Sequence, residues 1–499
     1  MNGLSLVIRA DASATMGTGH LMRCLALAQA WQACGGIVTF VSDLPCALHQ
    51  RLVAEGMSVL PMTALRGSQE DARELVAVAE KLETPYAVVD GYHFGAGYQR
   101  WLKDAELRVL FLDDYGHASD YCADWVLNQN ITANESLYVN RAPDTRLLLG
   151  TRYALLRREF RSWRDWQRTT PDVARKLIVT LGGSDPNNGT LKVLQALREL
   201  HIDDLEVTAV VGGANPHLSE LQAEADHSPH SVRLMHNVTD MPSIMAWADI
   251  AVSGGGSTVW ELAYMGLPTV VIVLAQNQAQ TAAGLSEARL MLSAGWHEAV
   301  SPSHLATILH ELACDASKRA LLSRRSREQI DSRGACRIVG AMHSPYLRLR
   351  LAKAEDCQMV FRWANDPEVR QASFSSEVVP WEAHVAWFRG QLQNDGNLYF
   401  VVETETGRPI GQVRFALTRG EATVSTSLDS TARAKGFGSA AIALASRHVM
   451  EQSGVKLIHA YIKPGNSLSQ QAFARAGYTL QGPTAIMQHP AIHMTLGAM

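Results

Sequence analysis

Short continuous apolar runs, separated by stretches of helical period, dominate the first two-thirds of the chain. Leu4-Ser5-Leu6-Val7-Ile8 predicts a buried strand, followed by a loop from Asp11 to Gly19 and an apolar-striped helix from about Leu21 to Trp31. Further strand-like runs at Ile37 to Val41, Ala87 to Asp90 and Val109 to Leu112 alternate with helical stretches. Unbroken apolar strands alternating with helices predict a parallel sheet covered on both faces. The pattern lapses over Arg157 to Asp172, where Arg and Trp crowd together before Thr-Thr-Pro-Asp, and this stretch reads as a surface helix and linker. Alternation then restarts with strands at Lys176 to Leu181, Val207 to Val211, Ile250 to Ser253 and Thr269 to Leu274. Two Rossmann-like domains in tandem leave a cleft at the carboxyl ends of their strands.

His343-Ser344-Pro345 breaks the helical pattern, and a different grammar follows. One early helical region contains Phe361-Arg362-Trp363. Strand-like runs then come at Leu398 to Glu403, Ile410 to Ala416 and Thr423 to Leu428. The expected organisation is α/β, with Rossmann-like domains over residues 1–155 and 156–343 and an α+β domain over 344–499.

Composition narrows the function classes. A chain of 499 residues exceeds what one core usually serves, and 47% hydrophobic with 19% charged residues is ordinary for globular domains. A formal net charge of −4 argues against a nucleic-acid partner while leaving room for local phosphate pockets. The seven cysteines are scattered and none forms Cys-x-x-Cys, so neither a structural metal site nor a disulfide framework is expected. Met1 to Ala10 lacks the pattern of a leader, and no apolar run reaches the roughly 18 residues of a membrane span. These features predict a cytoplasmic protein without membrane insertion.

Candidate chemistry concentrates in three places. The loop Asp11 to His20, with Gly17 and Gly19, lies between a strand and a helix, where backbone N–H groups face an anion or polar ligand. His20 stands at the helix start, where neutral imidazole is available to take a proton from an attacking water; the alternative is a capping or packed histidine. Ser253-Gly254-Gly255-Gly256-Ser257 sits between a strand and the helix carrying Glu261, and its small residues let N–H groups approach a diphosphate. Arg433-x-x-Gly436-Phe437-Gly438-Ser439 leads into the helix Ala440 to Met450, a turn suited to wrapping a pyrophosphate.

Arg9-Ala10-Asp11, Gly17-x-Gly19-His20-x-x-Arg23-Cys24, Val89-Asp90-Gly91-Tyr92, Leu112-Asp113-Asp114, Tyr153 to Phe160, Gly182-Gly183-Ser184-Asp185 and Ser253 to Ser257 follow one another in an order that resembles the nucleotide-sugar hydrolases of pseudaminic acid biosynthesis. The resemblance covers roughly residues 4 to 300. It implies a GT-B arrangement and metal-independent, inverting hydrolysis of a UDP-linked amino sugar, with His20 as the base. Tyr92 would touch the sugar or order the water. Asp11 would orient His20 or bind a sugar amide, unless it serves only a loop bond. The resemblance also places Arg9 near the UDP-sugar, Glu261 on the ribose and Asn277 and Gln278 on the sugar or phosphate. Gly183, Ser184 and Asn237 would shape the uridine side.

Leu457 to Ile462, Pro464-Gly465-Asn466-Ser467 and the helix Leu468 to Ala476 complete, with the Arg433 turn, a resemblance to the GCN5-related N-acetyltransferases over residues 347 to about 482. This implies acetyl-CoA as cosubstrate, held by the turn Arg433 to Ser439. Leu428 would offer a backbone N–H to the thioester carbonyl, and Asn466 would bind the pantetheine arm or a water. Phe473 stands where many members have the tyrosine that protonates the leaving thiolate. Tyr478 is a possible substitute, though packing is its expected role, and Glu421 is a candidate base better read as a surface turn residue.

Overall fold

The computed structural model describes residues 5–13, 16–213, 215–236, 238–343, 347–394, 396–404, 407–433, 437–486 and 488–497. Two positions of interest, Asn237 and Gly436, lie outside these. Two compact units are present, Met1–Ala341 and Met342–Met499.

The first unit holds two parallel sheets. One contains β1 (Ser5–Ala10), β2 (Ile37–Val41), β3 (Ser58–Leu60), β4 (Tyr86–Asp90), β5 (Arg108–Leu112), β6 (Trp125–Asn128) and β7 (Arg146–Leu149), in the order β3-β2-β1-β4-β5-β6-β7. The other contains β8 (Lys176–Thr180), β9 (Glu206–Val211), β10 (Ser231–His236), β11 (Ile250–Gly254), β12 (Thr269–Val273) and β13 (Leu292–Trp296), in the order β10-β9-β8-β11-β12-β13. Val7, Ala87, Val89, Val109 and Phe111 are fully buried, as a sheet covered on both faces requires.

In each sheet the order reverses between two central strands, β1 and β4 in the first and β8 and β11 in the second. Loops leaving the carboxyl ends of strands at such a reversal diverge and open a crevice. The loop 11–19 leaves β1, Gly91-Tyr92 leaves β4, Gly182 to Asp185 leaves β8 and Gly254 to Ser257 leaves β11. These four motifs therefore gather at two switch points, and Asp113-Asp114 and Asn277-Gln278 follow the neighbouring strands β5 and β12.

The stretch Arg157 to Asp172 is not the expected surface helix. It forms a short 3-10 helix, Arg158–Trp163, followed by irregular chain, with Arg157 and Phe160 buried. Arg168 Nη2 donates to Met245 O at 2.6 Å and Nη1 to Ala248 O, capping the carbonyl end of the helix Met241–Trp247. Burial pushes the Arg168 pKa down to about 10. Tertiary capping and ring contacts, such as Trp163 on Trp166 at 5.5 Å, account for the Arg and Trp content that reads locally as a solvated helix. After β13 the chain returns: Arg337 Nη1, in the helix Gly334–His343, donates to Arg152 O at 2.8 Å.

The second unit has one sheet: β14 (Leu347–Leu351), β15 (Asn397–Thr404), β16 (Pro409–Thr418), β17 (Glu421–Leu428), β18 (Leu457–Ile462), β19 (Thr479–Ile486) and β20 (His489–Gly497), in the order β14-β15-β16-β17-β18-β20-β19. Every pairing is antiparallel except β17 with β18. That pair joins only Glu421–Thr423 to Leu457–His459, after which the strands part. One face packs Phe400, Val413, Phe415, Val424 and Ile458 against the helix Phe437–Ser453; the other packs Tyr399 and Val401 against Val360, Trp363 and Phe388. Among the described residues no helix is long and apolar enough to cross a membrane.

Candidate active sites

His20 is the second residue of the helix Gly19–Ala33 and is 8% exposed. Its Nδ1 lies 2.7 Å from Oδ1 of Asp90, the last residue of β4. With Asp90 ionised and imidazole neutral, that contact places the ring proton on Nδ1 and leaves the Nε2 lone pair available. Arg23, one turn further along the helix, donates Nε to Asp90 Oδ2 at 2.6 Å and Nη1 to Asp114 Oδ1 at 2.7 Å. Tyr92 OH donates to Asp114 Oδ2 at 2.6 Å, and its ring meets that of His20 edge-on at 4.8 Å. Asn277, from the second sheet's side of the unit, donates Nδ2 to Tyr92 OH at 2.8 Å. A continuous polar chain thus runs from His20 to Asn277.

Arg23 is the one fixed cation of this polar chain and is shared by two carboxylates, Asp90 and Asp114. Burial acts to raise the Asp90 and Asp114 pKa values, but Arg23 and His20 hold both carboxyls below the usual carboxylate range. Burial, then the Asp114 charge, drives the Tyr92 phenol far above its ordinary value, so it remains a hydrogen-bond donor. Asp90 was not singled out as a functional residue from the sequence. The available signal was its place in Val89-Asp90-Gly91-Tyr92, at the end of an apolar strand.

Asp11 does not touch His20. Its Oδ1 accepts from Arg9 Nη1 at 2.5 Å and from Asp43 N at 3.1 Å. Arg9 in turn donates Nε and Nη2 to the two oxygens of Asp71, both at 2.9 Å, and Arg9, Asp11 and Asp71 are all 0% exposed. Arg9 is thus turned inward to two buried acids and braces the loop from beneath, while Asp11 Oδ2 is buried with no hydrogen-bond partner among the described residues.

The loops from the two sheets meet. Gly17 has φ +81°, a left-handed conformation that side chains rarely adopt. A Cβ on Gly183 would fall 2.3 Å from Thr18 Oγ1, so only glycine permits this approach of the β8 loop to the β1 loop. Gly19 lies beside Ser257, whose Oγ would be 3.6 Å from a Cβ at that position. Ser184 is 4% exposed, and Asp185 caps the helix Gly189–Ala196 by accepting from Gly189 N and Thr190 N at 2.7 and 2.8 Å.

In the second sheet's glycine loop, Gly255 N donates to Gln278 Oε1 at 3.0 Å, and Leu274 N donates to the same oxygen at 3.1 Å. Gln278 thus staples Gly254-Gly255 to the end of β12, where a direct sugar or phosphate contact was expected. Ser253 is wholly buried and donates Oγ to Gly254 O. Glu261 Oε1 accepts from Arg157 Nε at 3.0 Å, tying this helix to the Arg157 segment.

In the second unit, Asp429 N donates to Ile410 O in β16 at 2.8 Å. Alternation along the strand then turns the Leu428 N–H to the opposite edge, where β18 has parted. Leu428 O accepts from Arg433 Nε at 3.2 Å and Nη2 at 3.0 Å. Arg433 also pairs with Asp366 at 2.8 Å and Glu368 at 2.9 Å, so it braces the turn instead of projecting as a free phosphate ligand. Phe437, Gly438 and Ser439 open the helix Phe437–Ser453, with Phe437 packed partly into the core and Gly438 beside Leu428.

Asn466 Oδ1 accepts from Ser469 N at 3.0 Å and caps the helix Ser467–Arg475; that oxygen serves the helix where a pantetheine contact was expected. Phe473 is buried edge-on to Tyr478 at 4.9 Å, and Tyr478 OH bonds Ser446 Oγ at 2.9 Å. Tyr478 is therefore a core residue. Glu421 is exposed, 3.1 Å from His459 Nε2, and His459 Nδ1 is 3.0 Å from His493 Nε2. Among the described residues no group of three or more His, Cys, Asp or Glu is arranged to hold a metal ion.

Residues 177–334 match the glycosyltransferase family 28 C-terminal domain, and residues 346–479 match the acetyltransferase (GNAT) domain. The chain joins a nucleotide-sugar-hydrolase-like region to a GNAT acetyltransferase domain. Its relatives include the spore coat polysaccharide biosynthesis protein SpsG of Bacillus subtilis, 27% identical over 68% of this chain and 98% of that protein. The UDP-2,4-diacetamido-2,4,6-trideoxy-beta-L-altropyranose hydrolase of Campylobacter jejuni is 24% identical over 57% of this chain and 97% of its own length. An uncharacterized protein of Methanocaldococcus jannaschii is 21% identical over 82% of this chain and 83% of its own, a span that reaches beyond the hydrolase-like region into the GNAT domain of this fusion.

Proposed function

We propose that the hydrolase-like region cleaves UDP-2,4-diacetamido-2,4,6-trideoxy-β-L-altropyranose to the free sugar and UDP. The GNAT domain would first supply that compound, acetylating the 4-amino group of its UDP-linked precursor with acetyl-CoA. The observation that carries the reading is the His20–Asp90 pair at the switch point of the first sheet, opposite the glycine loop of the second. The name of the Campylobacter jejuni relative supports the choice of substrate.

Asp90 holds Nδ1–H, so His20 Nε2 accepts a proton from water as the water attacks the anomeric carbon. The C–O bond to UDP breaks with inversion, and the leaving diphosphate is met by the N–H groups of Gly256 and Ser257, since that of Gly255 is taken by Gln278. Tyr92 and Asn277, already bonded to each other, supply polar contacts to the sugar. No step in this account requires a metal. In the GNAT domain the unprotonated amine attacks the thioester carbon while the Leu428 N–H stabilises the carbonyl oxygen. Phe473 and the internally bonded Tyr478 leave protonation of the departing thiolate to water or another group.

An NMR assay of the UDP-linked 4-amino sugar, with and without acetyl-CoA, tests both halves in wild type and His20→Ala. UDP release should require acetyl-CoA, and the variant should accumulate the acetylated UDP-sugar. Equal UDP release without acetyl-CoA refutes the coupling. The match to a glycosyltransferase domain favours one rival, transfer to an acceptor hydroxyl; in that case oxygen-18 from water will not enter the released sugar.

A further inference from the structure

The GNAT sheet carries three rings and a carboxylate in series on the face opposite its main core. Along β18 the buried Ile458, Ala460 and Ile462 belong to that core, so His459 and Tyr461 stand on the other face. β20 sets Thr495 opposite His459 and His493 opposite Tyr461. The rings lie nearly parallel: His493 is 4.9 Å from Tyr461 with 9° between planes, and 5.2 Å from His459 with 17°. Glu421, where β17 begins, reaches His459 Nε2 at 3.1 Å, and His459 Nδ1 is 3.0 Å from His493 Nε2.

These two contacts fix where the protons sit. An ionised carboxylate only accepts, so His459 carries its proton on Nε2 and offers a lone pair at Nδ1. That lone pair takes the Nε2–H of His493, which leaves the lone pair of His493 on Nδ1. Among the described residues no hydrogen bond falls on that atom. Burial, then the neighbouring His459, lowers the His493 pKa, so the ring is neutral at pH 7 and able to accept.

The ladder between β17 and β18 ends at Thr423 and His459, so Tyr461 borders the gap where the strands have parted, and His493 lies beside it. The helix Phe437–Ser453, whose first turn is the expected cradle of the cofactor, packs on the core face. A thioester seated in the gap leaves the opposite face to the incoming amine. There Lys463 is tied to Gln371 O at 2.9 Å and Ser376 Oγ at 3.4 Å, and Phe374 stacks on His489 at 6.1 Å, so the loop 371–376 walls one side of the same surface. The strands and this loop also bring Arg414, opposite Ser425, and Arg370, bonded to Ser375 O and Glu377 O, to that side; Glu377 itself is exposed.

We infer that His493 is the general base of acetyl transfer, with His459 and Glu421 as its positioning residues. His493 Nδ1 takes one proton from the substrate ammonium. The freed nitrogen pair forms the N–C bond, the C–S bond breaks with its electrons left on sulfur, and the second amine proton passes through solvent to the thiolate. Glu421, acting through His459, stabilises the imidazolium until it returns its proton to solvent. The inference rests on the proposed acetyltransferase reading and adds the group that activates the amine.

The test follows single-turnover acetylation of the UDP-linked 4-amino sugar between about pH 6 and pH 9.5, a range spanning histidine and amine ionisation. The full-length chain is used as wild type, His493→Gln and Glu421→Gln, with thermal unfolding to confirm that each variant folds. His493→Gln should lose about 10²-fold at pH 7 and regain most of it at the alkaline end, where the amine loses its proton unaided. Glu421→Gln should show a smaller loss and an acidic limb displaced to lower pH, because removing the negative charge makes the rings less basic. KM for acetyl-CoA should not change in either. A His493→Gln rate equal to wild type at pH 7 overturns the inference, and so does a loss of the same size at both ends of the pH range, which marks a structural role. If wild type acetylates no UDP-linked amine, the proposed function falls, and nitrogen NMR of labelled histidines decides the relay: Nε2–H on both rings supports it, and Nδ1–H on His493 overturns it.

Discussion

The two reactive regions handle charge in opposite ways. Around His20 every ion has a protein counter-ion: Arg23 sits between Asp90 and Asp114, and Arg9 sits between Asp11 and Asp71. At Arg414 a half-buried guanidinium is stacked on Trp387, and its buried Nε has no hydrogen-bond partner among the described residues. The first arrangement holds a base in place before any ligand arrives. The second leaves one donor of a cation without an acceptor. Paired and unpaired cations thus coexist in one chain, and each makes a different demand on mutants.

The largest effect is expected from the preorganised base. His20→Ala should lower the rate of UDP release by up to about 10⁴-fold, and Asp90→Asn by on the order of 10²-fold, measured as single-turnover rates. An Asp90→Asn enzyme with the wild-type rate would mean that the carboxylate does not orient the imidazole.

Next comes Asp114→Asn, which leaves Arg23 and Tyr92 short of a buried acceptor. The expected loss is about 3 to 5 kcal/mol of stability at pH 7. Because the folded Asp114 pKa is depressed, its contribution is fully present above the ordinary carboxylate pKa and fades as pH falls toward the folded value. Denaturant unfolding of both proteins from pH 7 to pH 3 should therefore show a wide gap at neutral pH that narrows in acid. A gap independent of pH would place the effect in packing.

Asn466→Ala should cost about 1 kcal/mol through the lost helix cap, with KM for acetyl-CoA little changed. A large rise in that KM would instead give Asn466 a direct cofactor contact. The smallest stability effect is expected at Arg414→Met, within about 1 kcal/mol of wild type, because no ion pair is broken there. A loss as large as that of Asp114→Asn would erase the contrast between the two regions.

Much of this architecture is legible in the chain. The apolar runs Ile37 to Val41, Val109 to Leu112 and Val207 to Val211 coincide with β2, β5 and β9 because strands buried on both faces need side chains of one kind. The edge strands β3, β10 and β19 escape such reading, since a mostly exposed face imposes no apolar pattern: the residues of β19 are nearly all exposed. The Arg157 segment misleads for the converse reason. Its residues look solvated, but Arg168 is spent on carbonyls about eighty positions away and Trp163 packs on Trp166 within the segment.

Glycine-rich turns at strand ends mark the loops after β1, β8 and β11, with His20 at the start of the helix after the first, because a phosphate-sized ligand demands small residues there; the role of His20 as base and the choice of Tyr92 come from the resemblance to the nucleotide-sugar hydrolases. The sequence by itself thus determined which segments are buried strands, where the glycine turns fall, and which two kinds of chemistry the chain resembles. Tertiary structure alone decided the partners. It gave His20 to Asp90 rather than Asp11, bound Gln278 to the glycine loop, and left the Arg414 Nε without a partner among the described residues. Pairing between residues 23 and 70 positions apart depends on strand order and pleat direction, which no local pattern encodes, and a polar group reveals itself as unpaired only once everything around it is in place.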